Sequence, residues 1–233
     1  MDKFKKLVNL FRDKMISLLI SLIPDDEKKF TYIYKSSYWK NEKNGSLSGS
    51  GSGIEASQNL VDELNRFIAD NSICSILDIP CGDWKWMPGI DLKNINYIGG
   101  DIVSEIIDDN INRYSSSNVN FKKINLTKDE LISCDLIIVR DLLVHLKNED
   151  IFKCIENIKR HDIKYIALTH YPGNLSNKNP AWGDRWRPLN LLIDPFNFNE
   201  PNYILSDASK DGGVDEGRVM AVWKKSDFNQ VRR

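Results

Sequence analysis

The sequence predicts an α/β fold, a doubly wound and mostly parallel sheet with a terminal antiparallel strand pair. Three observations lead there. Apolar runs of strand length, Cys74–Ile79, Asn96–Ile102, Val119–Asn125, Asp135–Val139 and Lys164–Thr169, alternate with stretches of helical spacing. That is the rhythm of strand–helix–strand units joined by right-handed crossovers. The run Leu136-Ile-Ile-Val139 has no polar alternate, and the run of Ile76, Leu77 and Ile79 is broken only by Asp78, which suits strands buried on both faces. Near the end, Tyr203–Ser206 and Arg218–Trp223 flank the turn-rich Lys210-Asp-Gly-Gly213 and read as two strands joined by that connection. The expected architecture is Rossmann-like.

Taken in order, residues 1–23 carry Phe4, Leu7, Phe11, Met15, Leu18, Leu19 and Leu22 at helical spacing, with Lys3, Lys5, Lys6, Arg12 and Lys14 among them. The apolar run from Met15 to Ile23 is too short to span a bilayer, and Pro24-Asp-Asp26 follows it without a small-residue cleavage site. Such a helix packs on its own domain or a partner subunit, the commoner use and the expected one, or lies on an anionic membrane surface. Phe30 to Trp39 is rich in aromatic residues, and Gly45–Gly53 has the composition of a flexible linker. The helix that follows, from about Ile54 to Ala69, sets Leu60, Leu64, Phe67 and Ile68 on one face, with Ser52 or Ser57 as its cap.

The first strand is stopped by Pro80, which lacks a ladder donor, and Gly82 lets the backbone turn sharply or approach a ligand closely. The second strand ends in Asp101. A helix over Val103–Tyr114, strands over Val119–Asn125 and Asp135–Val139, a helix over Asn148–Arg160 and a strand over Lys164–Thr169 complete the alternation. Asn174–Asn199 is the least regular stretch. Its aromatics argue against disorder, and irregular segments of that length usually have a function. We divide the chain into an amphipathic N-terminal helix (1–29), one main domain (30–224) and a polar tail (225–233) that is expected to fray.

The net charge of −1 argues against a nucleic-acid surface driven by bulk charge. Cys74, Cys81, Cys134 and Cys154 show no C-x-x-C spacing, so no zinc or iron–sulfur site is expected and free thiols in a reducing cytoplasm are.

Asp78, Asp101, Asn125 and Asp141 each fall at or just past the carboxyl end of an expected strand. Any one of them suits a helix cap. Four along the ligand-binding edge of a parallel sheet point to a nucleoside site. Asp101 follows the first glycine turn at about 20 residues, where an acid grips a ribose. His145 lies four residues after Asp141, so a helical turn there lets both face the cleft. A neutral imidazole is a suitable base for a hydroxyl or amine proton; the alternative is a ring packed between Val144 and Leu146. His170, ending the next strand, is a second candidate base, and His161 is expected to be merely solvated. Trp182, Arg185, Trp186 and Arg187 suit a sugar or a phosphorylated small molecule. The alternatives for that stretch are a self-packed cover with Trp–Arg stacking or a contact between two copies of the chain.

The stretch Asp78-Ile-Pro-Cys-Gly-Asp83 and the acid Asp101 resemble the first motif and the post-strand acid of the class I S-adenosylmethionine-dependent methyltransferases. Pro80 and Trp84 stand where many members have glycine. The resemblance implies that Asp78, Pro80, Cys81, Gly82 and Asp83 wrap the methionine part of S-adenosylmethionine, and that Asp101 with Ile102 binds its ribose. It further implies that Asn125 or Leu126 lies beside the adenine, that Arg140 and Asp141 lie beside the methionine portion, and that the Ser/Gly tract closes over the cofactor. A narrower bacterial group associated with surface polysaccharide formation is similar in four linked stretches: the Ser/Gly tract, Leu77–Trp84, Arg140–Leu146 and Trp186–Leu191.

That likeness runs from about Trp39 to Trp223. With it, the chain reads as a methyltransferase acting on an oxygen, less readily a nitrogen, of a small metabolite, sugar or glycan precursor, and the lack of a metal-ligand cluster in the sequence predicts metal independence. The free cysteines suit the cytoplasm; peripheral membrane contact through the N-terminal helix and a homodimer are further expectations. Two rivals remain. A nicotinamide-dependent sugar oxidoreductase lacks its Gly-x-Gly-x-x-Gly after the first strand; the other is a non-catalytic, methyltransferase-like partner-binding module.

Overall fold

The computed structural model describes residues 2–40, 45–179, 186–208 and 217–228, the side chains of 2–10 and 50 apart. Its strands are β1 (Ser75–Asp78), β2 (Asn96–Asp101), β3 (Val119–Lys123), β4 (Cys134–Val139), β5 (Ile163–His170), β6 (Tyr203–Ser206) and β7 (Val219–Lys224). Its helices are α1 (Asp2–Leu22), α2 (Asp26–Lys35), α3 (Ile54–Asp70), α4 (Ser104–Tyr114), α5 (Asn148–Arg160) and α6 (Lys225–Phe228). All seven strands form one sheet in the order β3-β2-β1-β4-β5-β7-β6. The first five pair in parallel, and β7 lies antiparallel between β5 and β6.

Burial on both faces explains the unbroken apolar strands. Leu136 and Ile138 face one core layer, with Leu60, Leu64 and Phe67 of α3. Ile137 and Val139 face the other, with Ile151, Ile155 and Ile158 of α5. Each such Leu or Ile contributes roughly 1.5–3 kcal/mol when fully buried.

Several expectations need correction. Helix α2 was not foreseen, and it crosses the expected boundary between residues 29 and 30. Asp25 caps it, its Oδ1 accepting from Lys28 N at 2.9 Å, with Asp26 and Glu27 in the first turn and Lys35 in the last. That charge order complements the helix dipole. Phe30 and Ile33 of α2 are buried in the main core, so this segment belongs to the domain. In α1 only Ile20 is buried among the described side chains, with Ile16 partly so; Phe11, Met15, Leu18, Leu19 and Leu22 are exposed. Of the two expected partners for that stripe, the chain's own domain is therefore not the one it meets; Ile16 and Ile20 make that contact.

Neither Ser52 nor Ser57 caps α3. Gly53 holds that position, while Ser52 Oγ donates to Ser48 O and Ser57 Oγ to Gly51 O. The tail is ordered through α6: Phe228 is buried against Phe198 and Trp223. Lys225 Nζ donates to the carbonyls of Ile158, Lys159 and His161, each at 2.8 Å, closing the end of α5. Residues 229–233 lie outside the described residues.

Candidate functional site

The turn after β1 is tied to the end of β2. Cys81 N donates to Gly100 O at 2.8 Å. Gly82 adopts φ 52°, in the left-handed region open to glycine. Its N–H donates to Asp101 Oδ2 at 3.2 Å, and its carbonyl accepts from Asn110 Nδ2 at 2.7 Å. Asp101 Oδ1 accepts from Val103 N at 2.9 Å, so one carboxylate joins the turn to the start of α4. Burial pushes Asp101 up to about 6, with its backbone N–H donors opposing. Beneath the turn, Asp78 accepts from Tyr97 Oη at 2.7 Å, while its Oδ1 has no partner. Burial pushes Asp78 up to about 7, against the Tyr97 hydroxyl and the Arg140 charge.

The Ser/Gly tract is an ordered loop fastened onto this turn. Leu47 N donates to Asp83 Oδ2 at 2.7 Å, Ser46 Oγ donates to Asp83 Oδ1 at 3.3 Å, and Asp83 N donates to Ser48 Oγ at 3.1 Å. Tyr34 of α2 shares a 2.9 Å hydrogen bond with Ser48 Oγ. A Cβ at Gly82 would come within 2.5 Å of that same oxygen, so the loop already uses the space that glycine leaves.

Past β4 the chain turns at Asp141, whose φ is 55°. Arg140 Nε and Nη2 grip both oxygens of buried Asp207 at 3.0 and 2.8 Å, and Nη2 also donates to Gly51 O at 2.9 Å. Arg218 donates to Asp207 Oδ1 at 3.2 Å and to Asp141 Oδ2 at 2.9 Å. Asp141 N donates to Thr169 Oγ1 at 2.8 Å. Asp141 Oδ1, in contrast, is buried and accepts no hydrogen bond among the described residues. Sequence reasoning had no signal for Asp207 and Arg218, which are separated from Arg140 along the chain and meet it only through β7.

Two cavities flank Pro80. One, of about 60 Å³, is lined by Tyr34, Trp39, Ser48, Gly82, Asp141 and His145 among others. The other, of about 30 Å³, is lined by Phe30, Ile102, Asn125, Leu126, Leu142 and neighbours. The chemistry fits a cofactor that joins a flat aromatic base to a charged amino acid: an apolar slot with an asparagine on one side, an unpartnered carboxylate oxygen beside a glycine turn on the other. Each cavity is far below the roughly 300 Å³ of a small-ligand pocket, because α2 and the 45–53 loop lie closed over the sheet edge.

No family model and no curated protein matches the chain. Solved structures do. The chain is similar to magnesium protoporphyrin IX methyltransferase from Synechocystis PCC 6803 with bound SAM, at 12% identity and TM-score 0.58, covering 86% of this chain and 97% of that one. It is similar to the N-methyltransferase NodS from Bradyrhizobium japonicum WM9, at 13% identity and TM-score 0.55, covering 72% and 96%. It is also similar to PigF with SAH, at 14% identity and TM-score 0.55, covering 88% and 61%. Against three further methyltransferase structures, at a TM-score of 0.43, the chain spans 58%, 56% and 41% of the matched chain. The first three likenesses establish a fold: the Rossmann-like sheet of the class I S-adenosylmethionine-dependent methyltransferases, with its antiparallel β7.

The candidate residues sort accordingly. Pro80, Cys81, Gly82, Asp83, Arg140, Asp141 and His145 line the larger cavity, and Pro80, Ile102, Asn125 and Leu126 the smaller. Asp78 and Asp101 lie beneath them, both buried. Both Asp141 and His145 face the larger cavity, but Asp141 does not orient the ring: Arg218 holds its Oδ2, and its Oδ1 accepts nothing among the described residues. His145 instead stacks on Trp39, centroids 4.7 Å apart. His170 is buried and accepts from Leu191 N through Nδ1 at 3.1 Å, and it lines neither cavity. Burial pushes it down to about 4.

Arg187 is not a free cation: it donates to Leu146 O and Asn148 Oδ1, fixing the chain on both sides of Lys147. Trp186 is partly exposed and meets Tyr171 edge to face. Trp182 and Arg185 lie outside the described residues. His161, expected to be solvated, bridges Leu131 N, Asn157 O and Glu130. Tyr34 and Trp39 are the site residues that the sequence reading left without a role, although their aromatic-rich segment was visible.

Proposed function

We propose that this chain is an S-adenosylmethionine-dependent methyltransferase that methylates a hydroxyl oxygen, less readily a nitrogen, of a small metabolite, sugar or glycan precursor. The observation that carries the reading is the meeting, at one sheet edge of this fold, of the Gly82 turn, the unpartnered Asp141 Oδ1 and the Ile102–Asn125–Leu126 slot. Ile102, Leu126 and Phe30 would hold the adenine, Asp101 the ribose, and Asp141 with the 79–83 turn the methionine ammonium and its neighbourhood. The cofactor supplies an electrophilic methyl group when bound.

His145 is the base we assign to the acceptor's proton. It lines the larger cavity, and Trp39 holds its ring. Trp39 and Trp86 line the same cavity, and an aromatic lining suits the apolar face of a sugar ring. The sequence likeness to a bacterial group associated with surface polysaccharide formation supports that acceptor class. Entry of the cofactor requires α2 or the 45–53 loop to move outward, because the closed cavities are too small.

Titration calorimetry with S-adenosylhomocysteine tests the reading. The expected result is saturable binding at one site, weakened by Asp141→Ala, together with protection of the 45–53 amides from hydrogen exchange. A folded wild-type chain that binds neither S-adenosylhomocysteine nor S-adenosylmethionine would overturn it.

A further inference from the structure

The site leaves one large feature of the molecule unused. Between Phe11 and Leu22, α1 has two apolar faces. Ile16 and Ile20 sit against the core. Phe11 and Leu22 are 69% and 68% exposed, and Met15, Leu18 and Leu19 are exposed with them. At the helical repeat these five fall within an arc of about 100°, turned away from Ile16 and Ile20. Such a continuous apolar face is uncommon on a surface that meets only water.

Charge identifies what covers it. Over Asp2–Leu22 the five cations Lys3, Lys5, Lys6, Arg12 and Lys14 stand against the two carboxylates Asp2 and Asp13. Helix α1 is therefore basic within a chain whose net charge is −1. On the helical repeat Arg12 and Lys14 fall on opposite flanks of the stripe, where their stems can run along an apolar surface while their charges reach out of it. Among the described residues no helix is long and apolar enough to cross a membrane. A second copy of the helix laid on the stripe would bring like-charged flanks together, at an electrostatic cost.

We propose that α1 lies in the plane of an anionic bilayer surface. The stripe enters the boundary between headgroups and acyl chains, and the flanking cations pair with acidic lipid headgroups. Helix α1 leads through Ile23–Asp25 directly into α2, whose Tyr34 and Phe30 line the two cavities. Docking would therefore carry the covered edge of the cleft close to the leaflet, within reach of an acceptor held there.

The test is co-sedimentation of the full chain with vesicles of phosphatidylglycerol and phosphatidylcholine, and with phosphatidylcholine alone. Binding to the anionic vesicles at low ionic strength is expected, weakened at least about tenfold on neutral vesicles and again at about 0.5 M salt. The double variant Leu18→Glu/Leu22→Glu changes only exposed positions. It should lose at least about tenfold in vesicle affinity while its melting and its S-adenosylhomocysteine affinity stay unchanged. Arg12→Glu/Lys14→Glu should lose the salt-sensitive part of binding. The proposal is overturned if the wild-type chain does not sediment with anionic vesicles at low salt, or if Leu18→Glu/Leu22→Glu sediments like wild type. It is equally overturned if light scattering finds a dimer that this variant converts to monomer, which would assign the stripe to a second copy.

Discussion

The ends of β4 and β5 are neighbours in the sheet, paired in register up to Val139 and Leu168, and a histidine suited by type to take a proton stands past the first, His145, and at the end of the second, His170. They use it in opposite ways. After β4 the left-handed Asp141 turns the chain over the sheet edge, and a 3-10 turn at Leu143–His145 lifts His145 into the larger cavity. After β5 the chain folds back as a cover. Tyr171 N donates to Leu189 O, Leu191 N donates to His170 Nδ1, and His170 is left 1% exposed. The cover is held by asparagines: Asn177 Nδ2 donates to the carbonyls of Asn190 and Asp194, and Asn190 Nδ2 to those of Pro172 and Asn174. A strand end fixes where a side chain starts, and the backbone that follows decides whether it meets a ligand or a lid.

The sharpest way to break this contrast is to exchange the two histidines' chemistry. With S-adenosylmethionine and an accepted substrate, His145→Asn is expected to lower kcat by about 10²–10⁴-fold with cofactor affinity near normal. It should also remove the limb of the pH–rate profile that reports a histidine. His170→Asn should leave that limb in place and act through stability. Steady-state kinetics against pH decide it: a His170→Asn profile without the limb, beside a His145→Asn profile that keeps it, would reverse the assignment.

The β4 end depends on a buried ion network and the β5 cover on neutral amides, so their sensitivities to substitution should differ. Asp207→Ala leaves the Arg140 and Arg218 guanidiniums buried without their shared carboxylate. Removing one partner of such a set costs about 3–5 kcal/mol. Urea denaturation of Asp207→Ala and Asn177→Ala should show the larger loss for the first. Comparable losses would mean that the cover is as strongly held as the network.

This contrast also marks where the sequence was readable. The strands were legible because burial on both faces forces unbroken apolar runs such as Leu136–Val139, and the turn because a glycine two residues after Pro80 marks a left-handed backbone that glycine adopts without strain. Asp78, Asp101, Asn125 and Asp141 could be assigned to one sheet edge because parallel strands share a carboxyl end. Helix α2 was missed because its aromatic residues alternate without one clean apolar face; the cap at Asp25 and the acids after it were the available signal. The fate of His170 was not readable at all. It depends on Leu189 and Leu191, some 20 residues on, folding back through amide contacts that leave no local pattern. Arg187 misled for a similar reason: beside two tryptophans it looks like a ligand group, yet its partners are a backbone carbonyl and Asn148.

On the β2 side of the cleft the effects should be smaller. Asp101 already accepts two backbone N–H groups, so its loss loosens the Gly82 turn as well as removing an acceptor for ribose hydroxyls. Asp101→Ala is expected to weaken S-adenosylhomocysteine binding by about 1.5–3 kcal/mol. Calorimetry on the folded variant measures it, and unchanged affinity would remove Asp101 from the site.

The smallest effect separates a sealed group from an open one by pH. His170 is pushed down to about 4 by burial, so between pH 4 and 6.5 the unfolded chain binds a proton there that the native chain does not. Stability from this group rises with pH across that window and is lost as pH falls through it. Asp78 is pushed up to about 7, so between roughly pH 4 and 7 the native chain holds the extra proton and stability falls as pH rises. In the wild type His170 opposes both Asp78 and Asp101, the latter pushed up to about 6 by burial, so stability should fall moderately as pH rises to 6.5. Removing His170's titration with His170→Gln should expose the downward slopes of Asp78 and Asp101, steepening the fall between pH 4.5 and 6.5 by about 2 kcal/mol. Asp78→Asn should leave His170 and Asp101 opposed and flatten the profile. Urea midpoints taken at intervals across this range test both variants. If His170→Gln runs parallel to wild type, His170 exchanges protons as freely in the folded chain as in the unfolded one, and the cover over β5 does not seal it.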